Sequence, residues 1–215
     1  MIAIAGLYVL VDPAACRLHG PVETARLALE GGASIIQWRD KLRDKGEQLG
    51  EARATFRLCQ EYAALFIVND DADLALAVGQ PLAPVWNVGV HVGQKDLPVK
   101  ELRRFLPYPY LVGASTNNVD EAKAAEAAGA SYIAVGDVFG TASKEGTRVA
   151  SPGRLAEVKR AVRLPVVGIG GINLVNAAEV VKAGADAIAV ISAVCGADDP
   201  RQAAAQLVEA IARAK

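Results

Sequence analysis

The chain has 215 residues, 52% of them hydrophobic and only 5% aromatic, with a formal net charge of −1. That length suits one domain spanning residues 1–215, and its core must be built from Ala, Val, Leu and Ile. The near-neutral charge argues against non-specific binding to nucleic acid or to an anionic membrane, and no run approaches the ~18 apolar residues of a membrane span. MIAIAGLYVLVDP is apolar without a basic segment before it, so it reads as a first strand rather than a signal peptide. Cys16, Cys59 and Cys195 are odd in number, isolated and without metal spacing, as expected of free thiols in a reducing cytoplasm.

The apolar runs predict eight strands, at residues 7–11, 35–39, 65–69, 89–93, 110–114, 132–136, 165–169 and 187–191. Helical patterns alternate with them at 21–30, 46–63, 72–78, 99–105, 119–128, 152–162, 175–182 and 201–214. The piece VGQPLAPVWNV, 78–88, carries two prolines and reads as a longer loop. Three corners repeat: GGASIIQW at 31–38, AGASYIAVG at 128–136 and AGADAIAVIS at 183–192. Each joins a helix end to an apolar strand, with Gly supplying a left-handed C-cap. The stretch 165–192 spells the unit out as strand, glycine turn GIGGI, Asn173 as helix N-cap, helix, and a last strand ending on Ser192. Strands apolar on both faces belong to a buried parallel sheet. Eight strands alternating with eight helices predict an α/β fold, a (βα)8 TIM barrel with a parallel eight-stranded core.

In such a barrel the functional groups sit at the C-terminal strand ends. Strand two ends QWRDK, where alternation puts Gln37, Arg39 and Lys41 on one side. Two cations and an amide there could grip a phosphate or a pyrophosphate, or simply meet water. Strand three ends Asn69-Asp70-Asp71, followed by Asp73. Carboxylates at a buried strand end suit a hard cation such as Mg²⁺, although one Asp could instead cap the next helix. Asp96, just past strand four, could join Asp70 at the same ion. His91, mid-strand, reads as a hydrogen-bonded core residue rather than a proton shuttle. Ser115 or Thr116 could point a hydroxyl into the mouth, or cap the next helix with Asn117 or Asn118. Strand six runs into Asp137 and a long polar loop, 138–148, that could be a lid or a plain surface loop. The glycine turn offers backbone N–H groups to an anion, or serves only close packing.

The ordered set QWRDK (37–41), NDD (69–71), HVGQKD (91–96), GAST (113–116), FGTASK (139–144), GIGGI (168–172) and VIS (190–192) resembles the thiamine-phosphate synthase family. The resemblance runs from about Leu7 to the C-terminus. It implies a transferase that joins a hydroxymethylpyrimidine diphosphate to a thiazole phosphate, releasing pyrophosphate and thiamine phosphate. Carried over by position, Gln37, Arg39, Lys41, Asn69, Ser115 and Lys144 match the family's pyrimidine-diphosphate contacts, with Arg39, Lys41 and Lys144 as catalytic cations. Asp70 and Asp96 match its Mg²⁺ ligands, and Thr141, Ala142, Ser143, Gly171, Ile191 and Ser192 its thiazole-phosphate contacts. The implied mechanism is dissociative: pyrophosphate leaves first and the thiazole nitrogen attacks the pyrimidinylmethyl cation. The implied partners are these two small molecules, with no nucleic acid and no membrane; homo-oligomerisation stays open.

Departures from the family pattern fall in two loops. Gly140, Ala142 and Ser143 replace the usual proline and threonines, and 78–88 is longer than usual. Alternatives on the same barrel are a thiazole tautomerase-like isomerase and a non-catalytic paralogue that binds thiazole phosphate. An isomerase would not need the Asp70/Asp96 pair or the Arg39, Lys41 and Lys144 cations. A sugar-phosphate isomerase would need a carboxylate or His pair placed for proton transfer, and Asp137 lacks such a partner in the sequence.

Overall fold

A computed structural model describes residues 3–79, 87–140 and 150–215. Eight parallel strands close into a barrel in chain order. They are β1 (Gly6–Val11), β2 (Ile35–Trp38), β3 (Leu65–Asn69), β4 (Val88–Val92), β5 (Leu111–Thr116), β6 (Tyr132–Val135), β7 (Val166–Ile169) and β8 (Ala187–Val190). Closure is made by β1 on β8, with Gly6 opposite Ala187 and Val9 opposite Val190.

Around the barrel run α1 (Pro21–Glu30), α2 (Lys45–Glu61), α3 (Ala72–Gly79), α4 (Val99–Phe105), α5 (Val119–Ala127), α6 (Pro152–Ala161), α7 (Ala177–Lys182) and α9 (Pro200–Ala214). The expected alternation of strand and helix is therefore present. One helix was not expected: α8 (Ser192–Cys195), a single turn directly after β8. It has no side-chain cap, and four residues are too few to show a period, so the pattern carried no sign of it.

Two apolar layers fill the molecule. Tyr8, Leu10, Ile35, Leu65, Ile67, Tyr132, Val167, Ala187 and Ala189 pack inside the barrel. Alternate strand residues, among them Leu7, Val9, Ile36, Phe66, Val90, Ile133 and Ile188, pack outward against the helices. Most strand residues are thus buried on both the inner and the outer face, the reason for continuous apolar runs rather than alternation.

The three repeated corners take the conformation their glycines imply. Gly32, Gly129 and Gly184 have φ of 93°, 91° and 103°, the left-handed region where a Cβ is strained. Two positions after each glycine, a polar residue ties the corner to the neighbouring strand. Ser34 Oγ donates to Ala5 O at 2.5 Å, Ser131 Oγ accepts from Val112 N at 3.1 Å, and Asp186 Oδ2 accepts from Val166 N at 2.7 Å.

Helix starts divide between expected and corrected. Asn118, one of the two expected candidates, caps α5 by accepting from Glu121 N; Ser151 and Asp199, not foreseen, cap α6 and α9 in the same way. Asn173 is not the cap of α7: Asn176 holds that position. Asn173 instead opens a turn in which its Oδ1 accepts from Val175 N, while Asn176 Oδ1 accepts from Asn173 N and its Nδ2 donates to Gly171 O. The extra turn delays the helix and ties its start to the glycine turn.

Candidate active site

A cavity of about 1210 Å³ opens at the C-terminal ends of the strands. Arg39, Lys41, Asn69, Asp70, Asp96, Ser115, Gly171, Ile191 and Ser192 line it, so these sequence-predicted residues from six strand ends converge on one place. Thr141, Ala142, Ser143 and Lys144 lie outside the described residues, as does most of 78–88.

The cations are held in different ways. Arg39 Nη1 is paired with Asp12 Oδ2, and both side chains are largely buried. Asp12 follows β1 and was not foreseen, although the strand-end rule applied to Val11-Asp12 would have found it. Lys41 is half-exposed and paired with Asp70. Between them Asp40 turns the other way and shapes the loop, its Oδ1 accepting from Leu42 N and Arg43 N at 3.0 and 3.2 Å. Burial alone would raise the Asp40 carboxyl, but these N–H donors and the Arg43 guanidinium outweigh it and hold it below the usual carboxylate range. Lys45 bridges Asp71 and Asp73 at 2.8 and 2.9 Å. The Asp71 carbonyl accepts the first α3 bond, from Ala75 N. The cap and the cavity-facing residue are therefore different aspartates.

Asp70 has φ of 61°, unusual for a residue with a Cβ. Its N–H donates to His91 O at 2.8 Å, which pins the bend against β4. Asp96 is braced by Gly93 N on its Oδ2 at 2.8 Å. Desolvation raises the Asp70 carboxyl, Lys41 opposes this, and the adjacent Asp96 carboxylate raises it further. Two carboxylates that repel each other at a cavity wall form a donor set for a hard divalent cation, which would relieve the repulsion. Among the described residues no third carboxylate, His or Cys joins them. That fits Mg²⁺, which binds through one or two carboxylates plus waters and substrate phosphate oxygens.

The glycine turn serves both packing and the cavity. A Cβ on Gly168 would overlap Val180 beneath α7, and Leu155 Cδ1 would stand 3.0 Å away, so that glycine is a packing residue. Gly170 and Gly171 have φ of 106° and 63° and line the cavity. A Cβ there would collide with Asp137 and with the Gly140 carbonyl.

Below the cavity, polar groups cross the barrel interior. Gln37 is only 2% exposed and donates from Nε2 to Tyr8 Oη at 2.5 Å. Tyr8 Oη and Tyr132 Oη are 2.9 Å apart, Tyr132 Oη and His91 Nδ1 3.1 Å, and His91 Nε2 and Ser115 Oγ 2.9 Å. Burial pushes both phenols well up, so they stay protonated. His91 is a hydrogen-bonded buried residue, as expected, and also forms part of the cavity floor. Tyr8 and Tyr132 were missed because they read as ordinary apolar strand positions. A Cβ on Gly113 would overlap the Tyr132 ring and crowd His91, so this glycine makes room for the crossing.

Residues 7–194 match the family model described as thiamine monophosphate synthase. The chain belongs to that family. Among the relatives of this thiamine monophosphate synthase family member, the thiamine-phosphate synthase of Methanoculleus marisnigri is 45% identical over 213 residues, covering 97% of this chain and 96% of its own. The solved thiamine phosphate pyrophosphorylase from Pyrococcus furiosus is 39% identical and superposes with a TM-score of 0.86, covering 98% of this chain and 96% of its own. A 3-hexulose-6-phosphate synthase superposes at 0.69 with 22% identity, a likeness of fold alone. The family that the ordered motifs resembled is thus the family to which the chain belongs.

Proposed function

We propose that the chain is a cytoplasmic, Mg²⁺-dependent thiamine-phosphate synthase. It would join 4-amino-2-methyl-5-hydroxymethylpyrimidine diphosphate to 4-methyl-5-(2-hydroxyethyl)thiazole phosphate. The observation that carries this reading is the convergence of Arg39, Lys41, Asn69, Asp70, Asp96 and Ser115 on one cavity at the strand ends. An isomerase expels no pyrophosphate and would have no use for that charged set.

In this reading Asp70 and Asp96 hold a magnesium ion, which when bound offsets the charge gathering on the diphosphate. Arg39 and Lys41 stabilise the same charge as the methylene C–O bond breaks and its electron pair leaves with pyrophosphate. Lys144 takes a third position by its match to the family motif. Arg39 is braced from behind by Asp12, so it meets the diphosphate already oriented. Lys41 has to exchange its Asp70 partner for a phosphate oxygen. Gln37, Asn69 and Ser115 orient the pyrimidine; Thr141, Ala142, Ser143, Gly171, Ile191 and Ser192 hold the thiazole phosphate. The thiazole nitrogen attacks the pyrimidinylmethyl cation with its lone pair, forming the C–N bond. No proton has to be removed from that nitrogen, so the step needs no general base.

The test is a mixing assay with both substrates and Mg²⁺, quantifying thiamine phosphate and pyrophosphate, beside a sample in EDTA. Equal yields of both products, lost in EDTA, are expected. Binding of both substrates without product would leave the non-catalytic reading, and product unaffected by EDTA would remove the metal.

A further inference from the structure

The geometry points to Cys16 and Cys195 as a dithiol that hydrogen peroxide converts to a disulfide, tying the loop after β1 to α8 and slowing turnover in the cavity. The oxidation site stands apart from the synthase reading; its effect on turnover rests on that reading.

Nothing in the sequence pairs these two cysteines, which stand near opposite ends of the chain. The fold does, because β1 closes the barrel on β8. Cys16 lies in the loop after β1, and Cys195 in the turn after β8. Beside the pair, Arg17 N donates to Cys195 O at 3.4 Å and Arg17 Nη1 to Gly196 O at 3.5 Å, so the loop is seated on α8. The two thiols interact side chain to side chain. Their settings differ. Cys195 is 2% exposed, and its Sγ donates to Leu10 O at 3.3 Å. Cys16 is only partly buried. Cys59, the third cysteine, is buried in the core, and that burial pushes its thiol up.

This division suits a two-step oxidation. Contact with Cys195 lowers Cys16 to about 7 against the effect of burial, so part of it is thiolate at neutral pH, the form that attacks. Cys195 is pushed up, by Cys16 first and by burial next, and stays a thiol. Accessible thiolates poised beside a second cysteine are the ones that oxidise reversibly. The Cys16 sulfur attacks one peroxide oxygen and the O–O bond breaks. Cys16 becomes a sulfenic acid, and the other oxygen leaves as hydroxide and takes up a proton. The Cys195 sulfur then attacks the Cys16 sulfur, its proton joins the departing hydroxyl as water, and the S–S bond forms. The two thiols lose two electrons and two protons, and the peroxide is reduced to two waters.

The link acts on two walls of the cavity. Cys16 ends a tight turn built on Asp12, whose Oδ1 accepts from Ala14 N at 3.0 Å and whose carbonyl accepts from Ala15 N and Cys16 N at 2.9 and 3.2 Å. The other carboxylate oxygen of Asp12 holds Arg39. Cys195 N donates to Ile191 O at 2.9 Å, and α8 begins at Ser192, which lines the cavity. Drawing two sulfurs in to the bonded distance of about 2 Å pulls the Asp12 turn and α8 toward each other. A shift of about 1 Å at a reacting centre can cost roughly 10²-fold.

Trypsin places the three cysteines in separate peptides, 1–17, 58–95 and 183–201. Reduced protein is exposed to hydrogen peroxide, remaining thiols are alkylated in denaturant, and the peptides are mapped by mass spectrometry. The expected product is 1–17 linked to 183–201 on a chain of monomer mass, with Cys59 alkylated. In the mixing assay the linked protein should be slower by at least about tenfold, and dithiothreitol should restore both thiols and rate. C16S, given the same peroxide, should keep the rate it had before. Sulfinic or sulfonic acid on Cys16 beside an alkylated Cys195 would overturn the proposal. So would a link between chains, no oxidation at all, or a linked protein within twofold of the reduced rate. If C16S fails to fold, the parent's peptide map and its reversal by dithiothreitol decide. A reduced protein that makes no product sinks the synthase reading, and the map alone then decides the oxidation site.

Discussion

At the scale of single residues, the charged groups of the site were legible and their supports were not. Arg39, Asp70 and Ser115 announce themselves because charge or hydroxyl at the end of an apolar run is out of place in a buried strand. Asp12 sits just as plainly at the end of β1, yet its meaning depends on a partner 27 positions away. Removing one member of such a buried pair leaves the other uncompensated. Asp12→Asn should therefore let Arg39 drift and cut kcat/KM by roughly 10²-fold, the order of cost of a small misplacement at a reacting centre. Steady-state kinetics checks this, with arginine rotamers read from a crystal structure of the variant. The cysteines differ as sharply as the carboxylates. Interaction with Cys195, and a lesser one with Thr24, brings Cys16 down to about 7, while burial, the first opposing effect, and the Asp12 charge push it up. Cys16 is only partly buried; Cys59 and Cys195 are buried. Iodoacetamide should accordingly label Cys16 alone in the folded protein. The labelling rate should rise with pH through a midpoint near 7, where an ordinary thiol would titrate near 9. Mass spectrometry of peptides from a pH series reads both site and midpoint.

At the scale of elements, the signals that worked were those with a local cause. The glycine corners could be read because a left-handed C-cap is satisfied within a few residues of sequence. The N-cap Asn118 could be read for the same reason, while Ser151 and Asp199 carry the right side chains but were not foreseen. Asp199→Ala should destabilise the protein by about 1 kcal/mol, the usual worth of an N-cap side chain. For a chain of this size that lowers Tm by roughly 2–4 °C, and thermal denaturation followed by circular dichroism measures it. The signals that failed were those settled by distant contacts. Asn173 has the composition of a cap, but the glycine turn draws Asn176 back onto Gly171 O and the helix starts later. The turn α8 exists because it packs on α9 and its Cys195 Sγ donates to Leu10 O, on the adjoining strand β1, at 3.3 Å. Neither contact can be seen from four residues of sequence.

At the scale of the whole molecule, the barrel was legible from the count and alternation of apolar runs, since eight βα repeats admit few other closed arrangements. The polar crossing of its interior was not. Tyr8 and Tyr132 are as buried as the valines around them, and only three-dimensional register brings their hydroxyls together. Closure depends on the last helix as well as on the strands. Gly31, at the end of α1, has no strained φ, but a Cβ there would stand 2.6 Å from Ala204 Cβ and 3.1 Å from Ala205 N. Gly31→Ala should thus prise α9 from α1 and cost about 1–3 kcal/mol, the range for overpacking a tight contact. Urea unfolding should show a lower midpoint with an unchanged slope. A slope that fell would mean that α9 had come off separately.

The pairing of Gly6 with Ala187 also has a consequence during synthesis. As the chain leaves the ribosome, β1 is made seven strands before β8, the strand that covers its open edge. Until then its N–H and C=O groups along that edge are exposed, a template for pairing with any other nascent chain. The helices α1 and α2, packed on β1, β2 and β3, cover the outer faces of these strands before then, but the edge itself stays open until β8 arrives.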